Sequence, residues 1–430
     1  MNPPVVGFAG MTHLGLVSAS ALAGQGFEVA CFDADAALID RLTRRDWPVL
    51  EPGLDALVRA NGARQRFTAA RGDLSSCDVV YAAPDVPTDD HGNSDVSGLT
   101  ALIRDVVTAM NSNAVLVVLS QVPPGYTRAL AIWPPERLFY QVETLVFGQA
   151  IERAMKPERI IVGCADPSAP LEPRFRAALA AFGCPIMPMR YESAELAKIS
   201  INCCLVASVS VSNTLAELCE RIGADWSEIT PALGLDRRIG LHAYLSPGLG
   251  IAGGNLERDL ATVQRLSAAH GTEAGLVSAA LCNSRYRRGW PLRQLHACVL
   301  SRSADPVVAI LGVTYKENTH SIKNSPAVEL IKQLIGCRLA VFDPAVRASA
   351  QWHPCMTVAA DALACCDGAD ALVIMTPWPQ FRALRPSELV ARLRGRVVID
   401  PASVLDRAAA AAAGLQHVVL GAPLPAHAEQ

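Results

Sequence analysis

The sequence has no Cys-x-x-Cys pair and no cysteine–histidine cluster at metal-ligand spacing, although it carries thirteen cysteines. Their number is odd, they are scattered, and they include the adjacent pairs Cys203–Cys204 and Cys365–Cys366. Neither a metal site nor a disulfide framework is therefore expected, and reduced thiols in a cytoplasmic protein are. A signal peptide is not expected either, because the strand-like run Val5–Phe8 begins almost at once. Apolar runs are broken by Gly, Pro or polar residues before the roughly 18 residues of a membrane span, so no membrane association is anticipated. Charge is sparse: 18% of residues are charged and the formal net charge is -3. That balance gives no reason to expect nucleic acid or an anionic membrane as a partner. What remains is 430 residues, 51% of them hydrophobic, enough for two or three domains with large cores.

Strand-like runs at Val5–Ala9, Phe27–Phe32, Val79–Ala83, Ala114–Leu119 and Ile160–Val162 alternate with helical patterns such as Leu14–Ala23 and Leu99–Met110. The alternation predicts a parallel sheet with helices on both faces. From Ser193 to Ile222 the pattern becomes one long helix rich in small residues, with Leu196, Ile199, Cys203 and Val206 on its apolar stripe. Such a helix suits a central spine or a subunit interface. Strand-like runs return at Val307–Val313, Arg338–Phe342, Ala371–Met375 and Val397–Ile399, with helical Ala327–Leu334 between them, and read as a second, smaller α/β unit. The Ala-rich stretch Ala408–Ala413 reads as helix. Apart from the two α/β halves no repeat is evident.

The first strand runs into Gly10-Met11-Thr12-His13-Leu14-Gly15 and then an apolar helix, where a dinucleotide-binding turn seats a pyrophosphate on a helix N-terminus. Thr12 stands where a second glycine normally lets backbone approach the phosphate. Asp33, at the end of the second strand, is placed to bind a ribose 2′-hydroxyl and favours NAD over NADP. The alternative is an ordinary βαβ turn with a solvent-facing Asp33. His13 suits packing or capping, with acid–base work near the cofactor as the other reading.

Residues 250–260 read G-I-A-G-G-N-L-E-R-D-L. This glycine-rich bend leads into Asn255, Glu257, Arg258 and Asp259, yet it lacks any Ser, Thr, Cys, Lys or His that could act as a nucleophile.

Taken with that loop, further stretches are similar to the UDP-glucose/GDP-mannose dehydrogenase family. They are Val86-Pro87-Thr88, Ser120-Gln121-Val122-Pro123-Pro124-Gly125, the run from Pro157 to Gly163, Ser193-Ala194-Glu195-Leu196-Ala197-Lys198, Asp236-Arg237-Arg238-Ile239-Gly240 and Gly312-Val313-Thr314-Tyr315-Lys316. The resemblance implies two Rossmann-like doubly wound α/β domains joined by a long central helical dimerisation region. The implied division is an NAD-binding domain at 1–190, a central helical region at 191–300 and a sugar-nucleotide-binding domain at 301–430, in a cytoplasmic homodimer. Members of the family oxidise the 6-hydroxyl of a nucleotide sugar twice with two NAD, holding the aldehyde on a cysteine as a thiohemiacetal.

Carried over residue by residue, Glu143 matches the glutamate that handles water and protons. Lys198 and Asn202, one helical turn apart, match the lysine and asparagine around the reacting oxygen, and Asp259 the aspartate of the water network. Gly10, Thr12, His13, Leu14, Gly15, Asp33, Pro84, Thr88, Ser120, Gln121 and Lys323 fall at cofactor positions. Arg238, Gly250, Gly253, Gly254, Tyr315 and Lys316 fall at substrate positions. The departures sit at the same sites. Asn255 holds the catalytic-cysteine position, Gln121 replaces a Thr, Ala402 replaces the arginine of a D-G-R motif, and Lys323 replaces the arginine of an R-E-S motif. Of the remaining thiols Cys282 is nearest downstream of the loop, in a run that reads as core.

An amide can orient a hydroxyl or carbonyl but cannot form a thiohemiacetal. The leading expectation is therefore single-hydride chemistry on a nucleotide-linked sugar, with transient oxidation and re-reduction (epimerisation with retained NAD) favoured over simple release. A 6-dehydrogenase giving aldehyde or uronic acid is the alternative. A silent sugar-nucleotide-binding paralogue is the third.

Overall fold

The structure is a computed structural model that describes residues 2–89 and 92–423. It forms two compact units, Met1–Ile201 and Asn202–Gln430. In the first, eight strands form one sheet: β1 (Val6–Ala9), β2 (Val29–Phe32), β3 (Gln65–Thr68), β4 (Val79–Ala82), β5 (Val115–Val118), β6 (Leu138–Gln141), β7 (Ile160–Cys164) and β8 (Ile186–Arg190). Their order is β3-β2-β1-β4-β5-β6-β7-β8. All neighbours are parallel except β6 and β7, where Tyr140 faces Gly163 and Gln141 faces Val162 in antiparallel register.

The short apolar runs form strands buried on both faces because alternate side chains feed two separate cores. Val6 and Phe8 of β1 enter one core with Leu14, Leu16, Val115 and Val117. Ala9 enters the other with Val80, Ala82, Ile103 and Leu116. Chain order reverses between β1 and β4, and this topological switch point opens a crevice at the carboxyl ends of the strands.

The second unit carries a six-stranded parallel sheet of β9 (Val307–Leu311), β10 (Arg338–Phe342), β11 (Met356–Val358), β12 (Ala371–Ile374), β13 (Val397–Ile399) and β14 (Gln416–Val418). Its order, β11-β10-β9-β12-β13-β14, repeats the first arrangement. The likeness reaches single hydrogen bonds. Gly10 donates its N–H to the Phe32 carbonyl at 2.9 Å, and Gly312 donates to Phe342 at 2.8 Å. The Met11 N–H meets the Asp33 carboxylate at 2.8 Å, and the Val313 N–H meets Asp343 at 2.7 Å. Both glycines have positive φ, +94° and +90°, a turn that an L side chain rarely tolerates.

The helices that position the site are α1 (His13–Gly24), α2 (Tyr191–Ile222), α3 (Asn255–His270) and α4 (Gly275–Arg288). The long helix anticipated from Ser193 starts at Tyr191 and runs 32 residues from the first unit into the second. Among the described residues it is the single helix long and apolar enough, by length and composition alone, to cross a membrane, and its apolar residues are interrupted by Ser200, Asn202, Ser208, Ser210 and Asn213. Of its expected apolar stripe, Ile199 and Val206 are buried, whereas Leu196 is exposed. Cys282, expected in the core, is exposed on α4, while Arg287 on the same helix is fully buried. The inversion has an electrostatic cause. Glu217 and Glu220 lie 3.2 and 3.5 Å from the Arg287 guanidinium and compensate its loss of water.

Candidate active site

The residues at the carboxyl end of the first sheet converge on the switch point. Gly10 follows β1, Asp33 follows β2, Pro84 follows β4, Ser120 follows β5 and Glu143 lies two residues past β6. A Cβ on Gly10 would stand 2.8 Å from the Pro84 nitrogen, and one on Gly15 would collide with the Gly10 carbonyl oxygen. Both glycines are therefore demanded by the close passage of α1 over the strand ends. Asp33 accepts the N–H groups of Met11 at 2.8 Å and Asp35 at 3.0 Å, which leaves lone pairs for ribose hydroxyls. The seat fits a dinucleotide at its glycines, its helix N-terminus and Asp33.

Other expected cofactor residues serve the fold as well. The Ser120 hydroxyl is buried and donates to the Pro84 carbonyl at 2.5 Å. Thr88 pairs with Ser94 in an isolated antiparallel bridge. Gln121 is buried beside Ser120. The His13 ring turns into the protein, with Nε2 2.9 Å from Glu51 and its face stacked on Phe147 at 4.1 Å. Glu51 also accepts the N–H groups of Gly148 and Ala150. Burial would raise the Glu51 carboxyl, but the hydrogen bonds from His13, Gly148 and Ala150 outweigh it and hold the group below the usual carboxylate range.

Asp85 was not anticipated. Thr12 occupies the N-cap of α1, but its side chain makes no capping bond, and its hydroxyl accepts the Asp85 N–H at 2.8 Å. The Thr12 hydroxyl itself lies 3.4 Å from the Ala83 carbonyl. The only signal in the sequence was an acid directly after the Pro84 strand end, 73 residues from Thr12.

Catalytic candidates form two close pairs. In the first unit, the Lys198 ammonium lies 2.7 Å from Glu143 Oε1, and both side chains are largely buried. Glu143 Oε2 is fixed by the Leu145 N–H at 2.9 Å. In the second unit, the Asn202 amide donates to Asp259 Oδ2 at 2.5 Å, and Asp259 is almost wholly buried. Arg258 approaches the other carboxylate oxygen at 3.5 Å. Cys203, beside Asn202, has its thiol raised by burial and by the Asp259 charge, the reverse of what a nucleophile needs.

The glycine loop is shaped by its own neighbours. The Gly250 backbone passes against Ser284 of α4, whose hydroxyl accepts the Ile251 N–H at 2.7 Å. Gly253 lies under the Tyr315 ring, 3.2 Å from where a Cβ would stand, and Gly254 lies against Lys323. The Gly253 N–H meets the Lys323 carbonyl at 3.0 Å, and the Asn324 amide meets the Gly253 carbonyl at 2.8 Å. Glu257, one turn into α3, pairs with Arg288 at 2.5 Å. Asn255 is the first residue of α3 and is exposed. Burial pushes the Tyr315 hydroxyl up to about 12, so it remains protonated, and Lys316 Nζ sits 5.7 Å from that ring's centre. Arg238, on the exterior of the second unit, is bound by Asp236 at 2.6 Å. Lys323, read as a cofactor residue, and Arg238, read as a substrate residue, both lie within the second unit.

Three parts of one family match the chain in order. Residues 5–174 match its NAD binding domain, 192–285 its central domain and 309–407 its UDP binding domain. A UDP-glucose 6-dehydrogenase of Rickettsia typhi is 27% identical over 431 residues, covering 97% of this chain and 99% of that protein. The UDP-glucose 6-dehydrogenase TuaD of Bacillus subtilis is 28% identical over 431 residues, covering 96% and 92%. The structure of a UDP-glucose dehydrogenase from Pyrobaculum islandicum superimposes with a TM-score of 0.79 at 28% identity, covering 93% and 94%. The chain belongs to the UDP-glucose/GDP-mannose dehydrogenase family and is an NAD-dependent oxidoreductase of nucleotide sugars.

Proposed function

We propose that this protein removes one hydride from a carbinol of a nucleotide-linked sugar and releases a carbonyl product, with no covalent thiohemiacetal. The carrying observation is Asn255, which opens α3 where the family's loop places its cysteine, while the Glu143–Lys198 and Asn202–Asp259 pairs are present. Held at Gly10, Gly15 and Asp33, NAD would supply the hydride acceptor. Lys198 and Asn202, four residues apart on α2, direct an ammonium and an amide N–H at the developing alkoxide. Glu143 anchors Lys198 and receives the hydroxyl proton through water. Asp259 holds the Asn202 amide in the donating orientation. Thr12, His13 and Asp33 belong to the cofactor set, and Arg238, Tyr315 and Lys316 to the sugar-nucleotide set.

Net oxidation is favoured over re-reduction because the named relatives are dehydrogenases. Epimerisation is the second reading, since the loss of the thiol serves a returned hydride equally well. The thirteen cysteines are all free, which fits a reducing cytoplasmic setting. The test is NADH yield and product mass with a panel of UDP-, GDP-, ADP- and CDP-sugars. One NADH per carbonyl formed is expected. A uronic acid with two NADH per sugar would sink the proposal, and deuterium retained in an epimerised product would select the second reading.

A further inference from the structure

Residues 142–149 join β6 to the short helix Ala150–Met155 and carry Glu143, yet they form neither strand nor helix. A base on such a segment must be held from outside it, because a misplacement of about 1 Å can cost about 100-fold in rate. Glu51 supplies the first hold. Its Oε1 accepts the Ala150 N–H at 2.9 Å and its Oε2 the Gly148 N–H at 3.0 Å, at the start of the short helix, where backbone donors lack helical partners. The same Oε2 lies 2.9 Å from Nε2 of His13, on the first turn of α1, and the His13 ring stacks on Phe147. At the other end of the short helix, Gln25, just past α1, donates from Nε2 to the Met155 carbonyl at 3.3 Å. The cofactor helix therefore grips the short helix at both ends. From within that helix Arg153 reaches back, its Nε donating to the Thr144 carbonyl at 2.8 Å, and fixes the residue next to Glu143.

We propose that Glu51 and Arg153 are positioning residues for the reaction: they lock the base-bearing segment to the cofactor helix and aim Glu143 at Lys198. The proposal rests on the reading of Glu143 as the proton acceptor. Both residues act through others. The Glu51 side chain is fully buried and its donors are His13, Gly148 and Ala150. An apolar side chain could fill that space, but it could not satisfy two buried amides. Arg153 has Glu158 for an ion-pair partner, but at 3.9 Å, and the Glu158 side chain is 67% exposed. Such a pair contributes little, so the bond to the Thr144 carbonyl directs the guanidinium. The path is continuous, from His13 through Glu51 and the short helix to Arg153, Thr144 and Glu143, and it lies wholly in the first unit.

The experiment compares full-length wild type with Arg153→Met, Glu51→Gln, Glu143→Gln and the double variant Arg153→Met/Glu143→Gln. Kinetics use whichever of the UDP-, GDP-, ADP- and CDP-sugars yields NADH fastest. At saturating NAD and sugar, kcat should fall about tenfold in Arg153→Met and in Glu51→Gln, while the Kd for NAD stays within about twofold of wild type. In the double variant the Arg153 change should cost nothing further, because it acts only through Glu143. Hydrogen exchange, read without sugar, should quicken across residues 143–147 in both Arg153→Met and Glu51→Gln. Arg153→Met keeps the apolar stem, so it remains informative if Glu51→Gln fails to fold. Unchanged kcat in Arg153→Met beside a lowered kcat in Glu143→Gln would overturn the proposal alone, as would additive losses in the double variant. Unchanged kcat in Glu143→Gln would overturn the reading of Glu143 and the proposal with it. Exchange across 143–147 that neither change quickens would overturn the proposal even if no sugar is turned over.

Discussion

Glu143 Oε1 lies 2.7 Å from Lys198 Nζ, joining the segment after β6 to the first turns of α2. Neither group has a chain neighbour that would predict the pair, and the pairing settles both orientations. Removing one partner leaves the other charged, largely buried and mispositioned. Lys198→Met should therefore lower kcat about 100-fold or more, through loss of alkoxide stabilisation. Glu143→Gln keeps a hydrogen-bond acceptor for the ammonium but not a base, and should also lower kcat by about 100-fold. Steady-state kinetics with NAD near saturation checks both. Unchanged kcat in either variant would remove that residue from the reaction.

Much of this site was legible in local pattern and part of it was not. The β1–α1 turn announced itself because Gly10, Gly15 and Asp33 answer constraints within one βαβ unit. Lys198 and Asn202 were readable as one face because helical spacing alone puts them there. Asp85 on Thr12 and Glu51 on His13 are pairings over 73 and 38 residues, and no periodicity carries such information. Strand β8 was hidden for another reason. It is an edge strand holding Pro188, and proline is tolerated there only because one side of the strand needs no ladder partner. Cys282 was misplaced and the burial of Arg287 went unread, because burial on α4 follows ion pairing with Glu217 and Glu220 rather than hydrophobicity.

Restoring the thiol tests the role of Asn255 directly. Position 255 opens a 16-residue helix, and a cysteine at a helix N-terminus has a depressed pKa. Asn255→Cys should therefore gain a thiol that reacts with iodoacetamide near neutral pH, faster than the other exposed thiols, Cys204, Cys282 and Cys355. If the rest of the machinery is intact, the same variant should raise the yield from one NADH per sugar toward two. Fast alkylation with no second NADH would show that position 255 no longer faces the reacting carbon.

The buried Glu51–His13 pair makes a prediction about acid stability. The Glu51 carboxyl is held below its ordinary value of 4.5, so its stabilising contribution is fully present above that value and is lost as pH falls through the lower folded value. Thermal melting should show a drop between about pH 5 and pH 3 that is smaller in Glu51→Gln. The variant should also lose about 2 kcal/mol at neutral pH, since a neutral amide satisfies the N–H groups of Gly148, Ala150 and His13 less well than a carboxylate. Parallel melting curves for the two proteins from pH 7 to pH 3 would contradict it.

The last prediction concerns α2. Val211, Leu215, Leu218 and Ile222 are 59%, 41%, 50% and 64% exposed and recur at the spacing of one helical stripe. An apolar stripe of this length is costly to leave in water. A second copy of the same helix could cover it by self-complementary packing, as in the homodimer that the family resemblance implies. Light scattering behind a sizing column should give about twice the 45.6 kDa chain mass for wild type without detergent. Leu215→Asp with Leu218→Glu should shift the particle to the single-chain mass while NAD still binds, because the cofactor turn lies wholly in the first unit. A wild-type protein that stays monomeric at tens of micromolar would refute the dimer. A wild-type protein recovered only in detergent would instead assign the stripe to a lipid surface, which the length and composition of α2 alone permit.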